Sequence, residues 1–155
     1  ETSIMVCNDI KINPEKLTAL KCGDEASLDD IKIEAVYANH GDMAPDAIGF
    51  LLNISGVKIY FTGDTSYCPD KIENVIKFKP DIIILPINGA YGNLNAEEAA
   101  KLVAASGAKL AIPCHFWTFV EHGGNPKKFI DEMKKYARDC KTNIMSQGEM
   151  IKFRS

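Results

Sequence analysis

Two short segments in the second half of the chain, DIIILP (81–86) and KLAIP (109–113), constrain its fold most strongly. Each contains a continuous apolar run, which is the pattern of a strand that is buried on both faces. Helical patterns surround them: residues 70–78 carry apolar side chains on one helical face, and AEEAAKLVAASG (96–107) has a start resembling a capping box at Asn95. This alternation of helix and strand predicts an α/β (α+β) fold.

The first half of the chain has a different pattern. IKIEAVYA (31–38) alternates as a half-buried strand does. IGFLLNI (48–54) and VKIYFT (57–62) are predicted strands joined by Ser55 and Gly56, and a two-residue turn that contains glycine favours a hairpin. A sheet of several strands is therefore expected before residue 64.

Near the C-terminus, Asn125 followed by Pro126 predicts the start of a further helix. NIM (143–145) and GEMIKF (148–153) are candidate strands for a sheet edge. The chain shows no repeat or linker, so we expect residues 1–155 to form a single domain.

Composition limits the function classes. The 155 residues are 46% hydrophobic and 25% charged, which is typical of one globular domain. The net charge is −3 and the 18 basic residues are scattered, so neither nucleic acid nor a membrane surface is an expected partner. A small-molecule substrate fits this composition better.

The cysteines favour a reducing, cytoplasmic setting. They are five in number and widely spaced, without a C-x-x-C pair, which argues against a disulfide framework or a zinc ribbon. The sequence contains no apolar run long enough to span a bilayer, and its first residues lack the pattern of a secretion signal.

Three predicted strands end in residues suited to metal binding. They lead into Asn39-His40, Gly63-Asp64 and Cys114-His115. If these strands end at one edge of a sheet, two imidazoles and a carboxylate meet there, a ligand set that zinc, manganese or iron accepts. Gly63 would allow close backbone approach, and Thr65 is placed to hold an oxygen of the Asp64 carboxylate.

Each of these motifs also has an ordinary structural explanation. A single histidine after a strand is more often a surface or hydrogen-bonded residue, and Gly-Asp-Thr is more often a turn with a helix cap. The metal interpretation rests on the shared position of His40, Asp64 and His115, each after an apolar strand.

Four segments occur in order along the chain: ANHGDMAPDAIGFLL, IYFTGDTSY, PDIIILPINGAYGNLNAEEAAKL and AKLAIPCHFWTF. With these segments, the chain from about Ile31 to Phe153 resembles the metallo-β-lactamase superfamily, and within it the branch containing L-ascorbate-6-phosphate lactonases. The resemblance implies the C-terminal part of an αββα sandwich, in which two sheets pack face to face. It also implies a dinuclear centre with His40 on the first metal, Asp64 as the bridging carboxylate and His115 on the second.

The resemblance further implies a hydrolase in which metal-bound hydroxide attacks a lactone of a sugar acid, with or without a phosphate group. Asp64 and His115 are then the expected catalytic residues, and manganese or zinc the expected metal, with iron as a further option. One alternative is a phosphodiesterase of the same superfamily. Another is a non-catalytic fragment that serves as an interaction module.

One family motif is missing from this sequence. The His-x-His-x-Asp-His segment, which precedes the motifs quoted above in the family, does not occur, and the chain has only three histidines. We therefore expect an incomplete domain lacking its N-terminal part, inactive or weakly active alone. Half of a sandwich exposes one sheet face, so a complementing N-terminal fragment or a homo-oligomer is the expected partner.

Two segments are candidate substrate-binding sites. PINGAYGN (86–93) follows a buried strand, and its backbone N–H groups near Asn88 and Gly89 could face an anion. A glycine-rich turn before a capped helix explains it equally well. Trp117 and His122 follow His115 closely and are candidate pocket walls, although an aromatic cluster is more often core.

Overall fold

The computed structural model of the protein describes Cys7, residues 9–117 and residues 119–153. These residues form one mixed sheet of seven strands, and neighbouring strands in the sheet are consecutive in sequence. None of the helices within these ranges is long and apolar enough to cross a membrane. The strands are β1 (Glu25–Leu28), β2 (Ile31–Tyr37), β3 (Ile48–Ile54), β4 (Val57–Phe61), β5 (Ile82–Pro86), β6 (Leu110–Cys114) and β7 (Lys141–Thr142). The helices are α1 (Glu73–Phe78), α2 (Ala96–Ser106) and α3 (Pro126–Tyr136).

The direction of the strands changes at β4. β1 to β4 pair antiparallel, and Ser55 and Gly56, with φ of 51° and 89°, form the predicted turn between β3 and β4. β4 to β7 pair parallel, with one helix in each connection. β2, β4, β5 and β6 therefore run in the same direction, and their C-terminal ends lie at one edge of the sheet.

The helix boundaries follow local signals. The Asn95 side chain accepts the N–H groups of Glu97 and Glu98, while the Glu98 carboxylate accepts the Asn95 N–H, so the predicted capping box is confirmed. Gly107, with φ of 70°, ends α2 as expected. α1 is shorter than the predicted 70–78, because residues 69–71 form a separate 3-10 turn.

The sequence prediction of the sheet edges was wrong. β1 was missed because three of its four residues are exposed, which leaves no alternating pattern. The last strand, β7, is Lys141–Thr142 rather than the predicted NIM. It pairs with β6 only at Leu110 and Ala111. GEMIKF forms no strand among the described residues, and Met150 is exposed.

One face of the sheet carries the core. Leu51, Tyr60, Ile83 and Ala111 are aligned in one row across β3 to β6, and all are buried. Each of α1, α2 and α3 contributes buried side chains to the same cluster, with Phe129 of α3 fully enclosed. Burial of these apolar side chains stabilises the helices against this face.

The opposite face is apolar but open. Neighbouring strands align Ile33, Leu52 and Ile59 in one row, and Phe50, Phe61 and Ile84 in the next. None of these residues belongs to the buried cluster, and Phe61 is 40% exposed. The described part of the chain thus covers one face of the sheet with helices and leaves an apolar face half-exposed, which we call the open face.

Candidate metal centre

The three predicted ligands lie together at the C-terminal edge of the sheet. His40 follows β2, Asp64 follows β4 and His115 follows β6. His40 Nε2 lies 3.9 Å from Asp64 Oδ2, and His115 Nε2 lies 3.5 Å from the same oxygen. Parallel strand directions produce this convergence, because they bring three separate strand ends to the same edge.

The three side chains form two pairs, His40 with Asp64 and His115 with Asp64, which share the Oδ2 atom of Asp64. The described residues contain no group of three His, Cys, Asp or Glu side chains able to hold a single ion between them. The side chains of His40 and His115 are 15% and 27% exposed, whereas that of Asp64 is 42% exposed. Asp64 is therefore accessible to solvent, while the two imidazoles are largely enclosed.

Thr65 connects the loops of His40 and Asp64. Its Oγ1 accepts the Asn39 N–H at 2.9 Å and donates to the Ser66 carbonyl at 3.1 Å. The Ser66 N–H in turn donates to the Asn39 carbonyl at 2.7 Å. Thr65 therefore aligns two backbone segments, and the prediction that it holds the Asp64 carboxylate was wrong because its hydroxyl is already engaged.

Position 63 requires glycine because the backbone of Ile48 approaches it closely. Its φ is 64°, and a Cβ at this position would lie 2.7 Å from the Ile48 carbonyl oxygen. An L-residue would combine an unfavourable left-handed conformation with a steric clash. This confirms the expectation that Gly63 brings the backbone close, and it explains how the chain turns sharply before Asp64.

The loop after His115 folds back on itself. His115 and Trp117 have φ of 55° and 57°, and the Trp117 N–H donates to the Gly123 carbonyl at 3.2 Å. The His122 ring thereby lies with its centroid 5.3 Å from that of His115, and the Phe119 ring packs edge-on to His122 at 4.9 Å. Non-glycine residues at positive φ cost free energy and cluster at functional sites.

A cavity of about 520 Å³ adjoins Asp64 and His115. His122 lines it, as predicted from the sequence. Trp117 is not among its lining residues and is 74% exposed. The lining is completed by Phe61, Thr62, Gly63, Ile84, Cys114 and Phe119.

The segment PINGAYGN lies beside His40 but does not line this cavity. A Cβ on Gly92 would be 3.9 Å from His40 Nδ1. The Gly89 N–H donates to the Leu94 carbonyl at 2.9 Å, so it is not free for an anion. Asn88 is buried, and its Nδ2 donates to the Ala90 carbonyl at 3.2 Å.

Unpartnered polar atoms are concentrated around this site. Among the described residues, every buried side-chain N or O atom without a hydrogen-bond partner belongs to a loop that follows β2, β5 or β6. Buried polar atoms are normally paired, so such a cluster indicates a function for the groups involved. Asn93 was not predicted as a site residue, and the only sequence signal for it is its position in a glycine-rich loop. The atoms are His40 Nδ1, Asn88 Oδ1, Asn93 Oδ1, His115 Nδ1 and His122 Nδ1.

Cys114 is not a reactive thiolate. Burial, together with the negative charge of Asp64, raises the pKa of the Cys114 thiol to about 11. Without a bound cation, the thiol therefore stays protonated near neutral pH, whereas nucleophilic attack needs a thiolate.

Known proteins are similar to this chain in sequence. The beta-lactamase superfamily domain matches residues 3–116 of the chain. A UPF0173 metal-dependent hydrolase from Sulfurisphaera tokodaii is 30% identical over 138 residues, covering 88% of this chain and 60% of that protein. A UPF0173 metal-dependent hydrolase from Thermoplasma acidophilum is 33% identical over 125 residues, covering 77% of this chain and 51% of that protein. The chain thus spans roughly half to 60% of the length of these relatives.

Solved structures share the fold. Igni18, a metallo hydrolase from Ignicoccus hospitalis, superposes with a TM-score of 0.77 at 21% identity, covering 97% of this chain and 66% of that one. An isothiocyanate hydrolase from Delia radicum gut bacteria superposes with a TM-score of 0.76 at 20% identity, covering 99% of this chain and 64% of that one. With the match over residues 3–116, the chain belongs to the metallo-β-lactamase superfamily.

Proposed function

We propose that this protein is a metal-dependent hydrolase that opens lactones. The observation that carries the proposal is the convergence of His40 Nε2 and His115 Nε2 on a single oxygen of Asp64. Two largely enclosed imidazoles facing one accessible carboxylate suit cation binding. The names of the curated relatives, metal-dependent hydrolases, support the same class of reaction.

The donor set fits a divalent cation, with manganese or zinc as the leading candidates and iron as a further option. Imidazole nitrogen and carboxylate oxygen are ligands that these metals accept. His40, Asp64 and His115 would be the residues of this chain that hold a dinuclear centre, since both imidazoles lie beside Asp64 Oδ2. A bound cation supplies a Lewis acid and lowers the pKa of water, which makes hydroxide available near neutral pH.

The residues of this chain have separate tasks in this proposal. Asp64 offsets cation charge, and His40 and His115 orient the centre from either side. The exposed side of Asp64 leaves room for a substrate carbonyl, and a cavity of about 520 Å³ is large enough for a small molecule. In the reaction, a water oxygen bonds to the lactone carbonyl carbon and loses a proton, the ring C–O bond breaks, and the leaving oxygen takes up a proton, which gives a hydroxy acid.

We propose that a complementing N-terminal segment covers the open face. Phe61 and Ile84 belong to the open face and also line the cavity beside Asp64. Whatever packs on this face therefore also forms a wall of the substrate site. Sheet-on-sheet packing is the usual way in which a half-exposed apolar face becomes buried.

Metal titration of the 155-residue chain tests the metal centre. The chain has one tryptophan, Trp117, which lies close in sequence to His115 and can report binding by fluorescence. We expect His40→Ala, Asp64→Ala and His115→Ala each to weaken Zn²⁺ or Mn²⁺ binding at least tenfold. Asp131→Ala is the control, because it removes a carboxylate that pairs with Lys127 and Lys134 at the surface of α3, and it should bind metal as the wild type does.

Turnover tests the reaction. In the protein that contains its complementing segment, γ-lactones should be hydrolysed and Asp64→Ala should abolish hydrolysis. Retained turnover in Asp64→Ala, or unchanged metal binding in all the ligand variants, would contradict the proposal. Cleavage of a bis-aryl phosphodiester without lactone hydrolysis would instead identify a phosphodiesterase.

A further inference from the structure

We propose that Asn93 is a positioning residue for the candidate metal centre. Its side-chain oxygen Oδ1 accepts the His40 Nδ1–H through one bridging water, which leaves His40 Nε2 free to bind a cation. The inference rests on the proposed function, since it concerns how one of the expected ligands is oriented. Both atoms are buried by the described residues, so their surroundings do not depend on what covers the open face.

The two ring nitrogens of His40 have different surroundings. Nε2 faces Asp64, at 3.9 Å from Oδ2, whereas Nδ1 is buried and has no hydrogen-bond partner. A cation binds the lone pair of a neutral imidazole, so a ring that offers Nε2 to the centre carries its proton on Nδ1. That N–H needs an acceptor, and ligating histidines usually donate it to a carbonyl, a carboxylate or a water.

Asn93 carries an acceptor that lacks a donor. The residue is 7% exposed, and its Oδ1 is buried without a hydrogen-bond partner. Leaving a buried donor or acceptor unpaired is costly, and His40 and Asn93 each contain one such atom. A water between them accepts the Nδ1–H and donates to Oδ1, which satisfies both atoms.

Two sets of contacts place Asn93 beside His40. A Cβ on Gly92 would lie 3.9 Å from His40 Nδ1, so the position before Asn93 faces that side of the ring. Thr65 accepts the N–H of the residue before His40 with its hydroxyl and the N–H of the residue after Asn93 with its carbonyl, both at 2.9 Å. The Asn93 N–H donates to the Ala90 carbonyl at 3.0 Å, which fixes its backbone in a turn.

Heteronuclear NMR of the metal-free chain tests the pairing. Two-bond proton–nitrogen correlations identify which ring nitrogen carries the proton, and the chain has only three histidines to assign. At about pH 8.5, where free imidazole is neutral, we expect His40 to carry its proton on Nδ1. Asn93→Leu keeps a similar shape without an acceptor, and it should move the proton to Nε2, where Asp64 can accept it.

Asn88→Leu is the matched control for this measurement. Asn88 lies in the same loop, is 8% exposed and also has a buried Oδ1 without a partner. The Ile87 N–H donates to the Cys114 carbonyl at 3.2 Å, so Asn88 lies beside the loop after β6. Asn88→Leu should therefore leave the proton of His40 on Nδ1. If it moves the proton as Asn93→Leu does, the effect belongs to the loop as a whole and the inference is overturned.

Metal affinity provides a second readout. Hydrogen-bond partners of ligating histidines typically contribute about 10- to 100-fold to metal affinity, and we expect Asn93→Leu to weaken Zn²⁺ binding by this factor. Asn93→Asp keeps an acceptor oxygen at the same position and should restore most of the affinity. An equal loss in both variants would show that Asn93 only supports the loop, which would overturn its positioning role.

The pairing and the proposed reaction can fail separately. A wild-type chain with the His40 proton on Nε2 overturns the pairing without any variant, and Zn²⁺ binding by the same chain would leave the metal centre intact. If the proton lies on Nδ1 and responds to Asn93→Leu, but the wild type neither binds Zn²⁺ nor hydrolyses a lactone, the proposed function fails and the pairing stands.

Discussion

The Thr65 hydroxyl accepts the backbone N–H of Asn39 at 2.9 Å, which joins the loop that carries His40 to the loop that carries Asp64. Thr65 is 5% exposed, so water competes little for this hydrogen bond. The Leu94 N–H also donates to the Thr65 carbonyl at 2.9 Å, which attaches the loop after β5. One residue thus links three of the loops that surround the candidate metal centre.

Replacing Thr65 by valine should therefore weaken both the fold and the site. The Asn39 N–H would lose its partner in a partly buried position, which costs up to about 1–3 kcal/mol. We expect a lower free energy of unfolding in urea and weaker metal binding through displacement of His40. Thr65→Ser keeps the hydroxyl and should retain most of both. Equal metal affinity in Thr65→Val and wild type would show that the hydrogen bond does not position His40.

Gly63→Ala should be more destabilising than Gly56→Ala. Both glycines have positive φ, 64° and 89°, so both alanines incur a left-handed conformation that costs roughly 1–2 kcal/mol. A Cβ on Gly56 has nothing within 4 Å, whereas one on Gly63 lies 2.7 Å from the Ile48 carbonyl oxygen. Urea unfolding of the two variants isolates the cost of this contact. Equal destabilisation would mean that the backbone beside Asp64 relaxes freely.

Asp81 should make stability depend on pH in the acid range. Its carboxylate accepts the Lys58 N–H at 3.0 Å and the Lys109 ammonium at 2.7 Å. Burial alone would raise the pKa of Asp81, but the hydrogen bonds and positive charges of Lys109 and Lys58 lower it below the ordinary 3.8. Because the folded-state pKa is depressed, this stabilisation is complete above pH 3.8 and is lost as the pH falls through the folded-state value.

We therefore expect Asp81→Asn to lower the free energy of unfolding by about 1–3 kcal/mol at pH 7, since hydrogen bonds to a charged group are lost. The difference from wild type should shrink as the pH falls below 3.8, which urea unfolding at several pH values measures. Asp131→Asn, at the surface of α3, is the control and should have a much smaller effect. A difference that does not change with pH would contradict the role of ionised Asp81.

The open face should make the isolated 17.1 kDa chain associate or bind hydrophobic dye. Ile59 lies on this face, and Ile59→Lys should reduce both association, measured by native mass spectrometry, and dye fluorescence. Ile76→Lys adds the same charge to α1 at a side chain that is 48% exposed, and it should change neither. A wild-type monomer that binds no dye would show that the face needs no partner, whereas a stable dimer would favour a homo-oligomer over a complementing segment.

Local patterns predicted most of the fold. Asn95 and Glu98 marked the start of α2, and Ser55 and Gly56 marked the β3–β4 turn, because caps and turns depend on a few adjacent residues. The edge strands β1 and β7 escaped prediction because exposed residues show no alternation. Their pairing depends on distant strands, which sequence patterns do not contain.

The amino-acid sequence by itself determined which residues end the strands, since hydrophobic periodicity and turn residues are local properties. It therefore identified His40, Asp64 and His115 as candidate ligands. Only the tertiary structure decided that the imidazoles of His40 and His115 face the same oxygen of Asp64. It also decided that the Thr65 hydroxyl binds the backbone of Asn39 rather than a carboxylate, and that His122 rather than Trp117 lines the cavity. These relationships depend on the direction of parallel strands and on the path of one folded-back loop, which arise when distant segments pack together.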